Sequence, residues 1–87
     1  MLKVERSANG QVIFALIGRM VQEDIAELET LFRAEADARK LVLDLKDLTL
    51  VDRETVRFLG RCEEDNIRLK NCPAYIREWI TRERLGN

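Results

Sequence analysis

The chain has no histidine, and its 87 residues include only two cysteines, one proline and four glycines. Without histidine, Ser/His and Cys/His catalysis is excluded within the chain. Cys62 and Cys72 do not form a C-x-x-C pair, so the usual structural zinc patterns are absent as well. They read as two free thiols in a reducing compartment. The glycines (Gly10, Gly18, Gly60, Gly86) are scattered, which leaves no glycine-rich loop to cradle a phosphate. No metal and no cofactor are expected. The longest apolar run, "VIFALI", is far too short to cross a bilayer. The opening "MLKVERSANG" lacks the apolar centre of a signal peptide. The expected location is therefore the cytoplasm, without membrane insertion. A net charge of -1 gives no general pull toward nucleic acid.

What is present fits a folded domain. Apolar residues make up 46% and charged residues 36%, a balance of soluble globular chains and not of disordered ones. The length predicts one domain over residues 1–87. "LKVER" alternates apolar and polar, as in an edge strand. Asn9-Gly10 then marks a hairpin, because both residues tolerate positive φ. "QVIFALIG" is apolar at both parities, which predicts a central strand covered on both faces and ended by Gly18. From Val21 to about Ala38 the period is helical, with Ile25, Leu28, Leu31, Phe32 and Glu35 on one stripe.

"KLVLDL" predicts another buried strand, and "KDLTLV" the loop leading out of it. Asp52 is placed to cap a second helix, since its carboxylate can accept from a backbone N–H two or three residues on. Val56, Leu59 and Cys62, with Phe58 alongside, mark that helix's buried side. "NIRLKN" reads as a short strand, with Asn66 at the turn before it. Pro73 opens a last helix with an apolar stripe of Tyr75, Ile76, Trp79 and Ile80. The order β-β-α-β-α-β-α predicts an α/β fold, a small mixed sheet packed with helices.

Two stretches, "LVLDLKDLTLVD" (41–52) and "IRLKNCPAYIREWI" (67–80), resemble the STAS domain, the fold of the anti-sigma factor antagonists. The resemblance covers residues 2 to about 84. It implies a non-catalytic regulatory module that binds a protein partner, such as a kinase-like anti-sigma factor. The alternative within the same family is an accessory subunit of a transporter, docked on an ATPase subunit. The antagonists carry a "DSSG" loop whose second serine is phosphorylated. Counting from Asp52, that position is Glu54 here; Arg53 stands for the first serine and Thr55 for the glycine. The usual switch is therefore missing.

A carboxylate in a first helical turn is favourable by roughly 0.3–1 kcal/mol with no further role. The functional alternative is that Glu54 supplies permanently part of the charge that phosphorylation would add. Thr55 is a second hydroxyl candidate, one residue out of place. Arg53, Arg57 and Arg61 recur at i, i+4 and i+8 and share one helix face. Arg57 lies three residues from Glu54, and Glu64 three beyond Arg61, so weak surface ion pairs are expected. Asp52, Arg53, Glu54, Thr55, Arg57 and Arg61 together form the expected partner-binding surface. The stripe on the last helix makes Trp79 the expected contact for a homodimer or other partner.

Overall fold

The computed structural model describes residues 1–8, 10–35 and 41–86. It contains β1 (Leu2–Ala8), β2 (Val12–Met20), α1 (Ile25–Arg33), β3 (Leu41–Asp44), β4 (Leu48–Val51), α2 (Arg53–Glu64), β5 (Arg68–Lys70) and α3 (Ala74–Leu85). The sheet runs β1-β2-β3-β5, with β4 added beside β2. β1 is antiparallel to β2, and every other pairing is parallel. The architecture is thus the expected small mixed sheet with helices, with one strand more than the sequence order implied. No helix in the described residues is long and apolar enough to cross a membrane.

The pleat decides which side chains form the core. Register places Arg6, Phe14, Leu43 and Leu69 in one row, Val4 beside Leu16, and Val12 beside Leu41. Those apolar residues join one hydrophobic cluster with Leu28 of α1, Val56 and Leu59 of α2, and Ile76 and Ile80 of α3. The other parity of β2, Ile13, Ala15 and Ile17, lies outside that cluster and is half-buried. Among the described residues, the central strand is therefore covered by helices on one face only, not on both. Its apolar run reflects a buried face and a half-open one.

Three further expectations change. The β2 strand does not end at Gly18 but continues to Met20, with its pairing to β4 shifted between Gly18 and Arg19. Gly18 takes φ +96°, a left-handed conformation that glycine adopts without penalty. Second, "KDLTLV" is not all loop. The Asp44 carboxylate accepts from Lys46 N at 3.1 Å, and Leu48 N donates to Leu45 O at 3.1 Å. This tight turn separates β3 from β4, which resumes parallel to the far half of β2. Third, the first helix is shorter than its stripe. It begins with a 3-10 turn at Gln22–Asp24 and ends at Arg33. Glu35 lies beyond it and accepts from Arg6 Nε and Nη2 at 2.9 and 3.0 Å, tying that end of the chain to the edge strand. The Ala38, Arg39 and Lys40 part of this expectation, like Asn9 of the hairpin, lies outside the described residues.

Phe32 links the layers. Its ring lies 5.7 Å from Phe14 of β2 and is stacked 6.1 Å from Phe58 of α2, so α1 and α2 share one aromatic contact over the sheet. Asn66 adopts φ +68° at the end of α2, as its position before a turn requires. Pro73 is the residue that caps α3.

Candidate functional site

The start of α2 is built by Asp52. Its backbone is extended, and its Oδ1 accepts from Thr55 N at 2.9 Å, an N-cap bond. Its Oδ2 accepts from Gln22 N at 2.9 Å, which joins the entry to α1 to the same carboxylate. Burial pushes the Asp52 carboxyl up, but the hydrogen bonds from Thr55 and Gln22 outweigh it and hold it below the usual range. Asp52 is thus half-buried and spent on structure.

Glu54 sits in the first turn with its side chain 45% exposed, and Arg57 Nη1 approaches its Oε1 at 3.7 Å. The expected i,i+3 pair is present. Arg53 and Arg57, however, do not simply face solvent. Both reach across to α3, where Glu83 Oε1 accepts from Arg57 Nε at 3.0 Å and from Arg53 Nε at 3.4 Å. These bonds, with that from Arg57 the stronger, hold the Glu83 carboxyl below its usual range. Arg61 is exposed, and Glu64 meets Arg84 at 3.9 Å and not Arg61. Between α2 and α3 runs a groove of about 370 Å³ over Gly60, rimmed by Arg57, Arg61, Arg84, Glu64 and Glu83.

Thr55 has to be removed from the contact surface. It is fully buried, and its Oγ1 donates to Met20 O at 3.2 Å. The same bond withdraws its hydroxyl from any modifying enzyme while this fold holds. One residue of shift along a helix turns a side chain by about 100°, here from the surface into the core. Trp79 is half-buried and packs against the core cluster, whereas Tyr75 of the same stripe is 45% exposed. Tyr75 donates its hydroxyl to Thr49 O at 2.7 Å, just before the α2 start.

The surface that results comprises Arg53, Glu54, Arg57 and Arg61, with Glu83 and Tyr75 as members that sequence reasoning missed. Tyr75 carried only an apolar-stripe signal, and Glu83 carried none, since its arginine partners lie 26 and 30 residues away. A scan against models of known protein families gives no match, and a search of curated proteins gives none either.

Proposed function

We propose that the chain is a non-catalytic protein-interaction module of STAS type that binds a kinase-like anti-sigma factor through the start of α2, without a phosphorylation switch at the usual position. The observation that carries this reading is the presentation of Glu54. It stands half-exposed at a helix start that Asp52 anchors from two sides, at the position counted for the antagonists' phosphoserine. A carboxylate there holds a fixed negative charge, about half that of a phosphate group. Arg53, Arg57 and Tyr75 supply the multi-donor and amphipathic side chains that protein interfaces favour. Trp79 has most of its surface committed to its own core, so the contact on α3 falls on Tyr75.

The test is calorimetric titration of the purified chain with a kinase-like anti-sigma factor, taken from its own gene neighbourhood if one is encoded there. Glu54→Gln keeps the shape and deletes the charge, and it should weaken binding. Arg57→Glu should cost about 2 kcal/mol or more, as expected for a charge within an interface. If both variants bind like the wild type, the α2 start is not the docking surface. If the neighbouring genes encode transporter subunits and an ATPase subunit binds instead, the accessory-subunit reading takes its place.

A further inference from the structure

The sheet has a second face, opposite the helices. Every buried apolar side chain of α1, α2 and α3 belongs to the single core on the Phe14 face. The opposite face carries Ile13, Ala15 and Ile17 of β2, all half-buried, Leu50 of β4, and Val42 of β3, which is outside the core cluster but itself buried at 3% exposure. Leu50 pairs with Arg19 on β2, while their neighbours Val51 and Met20 turn into the core. Its side chain is therefore on the outer face, and it is 54% exposed. Charged side chains flank this strip, Lys3 and Glu5 on β1, which pair at 3.3 Å, and Arg68 and Lys70 on β5, while Arg19 beside Leu50 and Asp44 beside Ala15 lie within it.

We propose that this face associates with the same face of a second copy of the chain, sheet against sheet, about a two-fold axis running along the strands between β2 and β3. Register supplies the argument. One row across the sheet reads Glu5, Ala15, Asp44, Lys70, and the next reads Ser7, Ile13, Val42, Arg68. A two-fold along the strands keeps each row at its own height and exchanges the ends. It sets Ile13 of one copy over the already buried Val42 of the other and the Arg19 stem over Leu50, and it sets Glu5 over Lys70 twice. A two-fold across the strands would instead stack β5 on β5 in reversed direction and oppose Arg68 of each copy to Lys70 of the other. Like charges so placed are unfavourable, which selects the first axis. Asp44 meets Ala15 in this arrangement and is already served by Lys46 N and the Asn71 amide.

Packed sheets twist by about 30°, which shifts Glu5 by roughly one residue toward Arg68 and leaves a basic partner within reach. Four strands and four rows span about 400 Å² per copy, near half the roughly 800 Å² of a standard interface. An area this small fits a weak, reversible dimer.

Sedimentation equilibrium on the full chain tests this. The wild-type mass should rise from 10.1 kDa toward twice that value with concentration. Lys70→Glu and Glu5→Lys should each raise the dissociation constant about tenfold or more, because each puts two like-charge contacts into the dimer. The double exchange should restore it to near the wild-type value. All these positions are exposed, so circular dichroism should show an unchanged fold. Leu50→Asn should weaken association without any charge change. A wild type that stays monomeric at millimolar concentration overturns the proposal. So does a dimer indifferent to the reversals, or a double exchange that fails to restore it.

Discussion

Asp52 and Gln22, thirty residues apart in sequence, are held 2.9 Å apart by a hydrogen bond from the Gln22 backbone to the Asp52 carboxylate. The other oxygen of that carboxylate caps α2 through Thr55 N. One side chain therefore fixes where α2 begins and where the chain turns out of β2 toward α1. Asp52→Ala should destabilise the fold by about 1–2 kcal/mol, the upper part of the range for loss of an N-cap. Asp52→Asn keeps an oxygen for Thr55 but offers an N–H donor to the Gln22 N–H. It should cost about 0.5–1 kcal/mol. Urea unfolding followed by Trp79 fluorescence measures both.

The same carboxylate contributes to a pH dependence whose sign is determined. The Arg77 guanidinium holds the Glu63 carboxyl below its usual range, Arg57 and Arg53 do so for Glu83, and Arg6 does so for Glu35. Asp52 is lowered by its hydrogen bonds despite burial. Each group binds its proton less readily folded than unfolded, so each contributes stability above the unfolded value of about 4. That stability falls as pH drops through the folded values. Urea midpoints should be flat from neutral pH down to about 5 and then decline. Asp52→Asn should make the decline shallower; an unchanged slope would mean that Asp52 titrates normally in the fold.

Glu83 binds two arginines that the proposed docking surface also presents. The two arginines are exposed although the Glu83 side chain is only 20% so, and Glu83→Gln should move the unfolding midpoint little, and less still at high salt. Its larger effect should be on partner binding, because Arg53 and Arg57 lose the carboxylate that orients them. A dissociation constant that changes while stability does not would separate these two roles. An unchanged constant would place Arg53 and Arg57 outside the interface.

Cys62 and Cys72 should differ in reactivity. Cys62 is buried in α2, and burial, with Asp65 adding to it, pushes its thiol up to about 12. Only about one part in ten thousand is then thiolate at pH 8, and the thiolate is the reactive form. Cys72 is half-buried, and burial raises it too. A disulfide reagent at pH 8 should leave Cys62 unmodified in the native protein and should titrate both thiols in urea. Rapid native modification of Cys62, located by mass spectrometry, would show that α2 opens locally.

Much of the fold was legible because local chemistry and burial agree. Phe14, Leu16, Leu41 and Leu43 are apolar and buried, Asp52 is a cap, and Asn66 sits at its turn. β4 was not legible. Its four residues follow a turn made by the Asp44 side chain, and only Leu48 and Val51 of the four face the core. The half-open sheet face was misread because Ile13 and Ile17 are as apolar as Phe14 and Leu16. Composition does not say whether a second layer covers a strand. At the candidate site, the cap and the i,i+3 pair were local and visible. The Glu83 contact and the inward turn of Thr55 depend on how α2 lies against α3 and β2, which no short window records.

The same substitution at two glycines should act with opposite sign. At Gly18 an alanine Cβ would come within 2.8 Å of the Met1 carbonyl oxygen, and φ is +96°. An L residue pays for that conformation even if Met1, which is 98% exposed, moves away. Gly18→Ala should therefore destabilise by about 1–3 kcal/mol. Gly60 lies within α2 with no positive φ, and a Cβ there would meet Ile80 Cγ2 at 3.7 Å, an ordinary contact. Alanine restricts the unfolded chain and favours the helix, so Gly60→Ala should stabilise by about 0.5–1 kcal/mol. Urea unfolding of both variants gives the signs directly. If Gly60→Ala destabilises, the α2–α3 approach is tighter than 3.7 Å implies, and Gly60 is there to let the helices close. If Gly18→Ala is neutral, β2 relaxes out of its left-handed residue, and the register shift beside β4 does not depend on glycine.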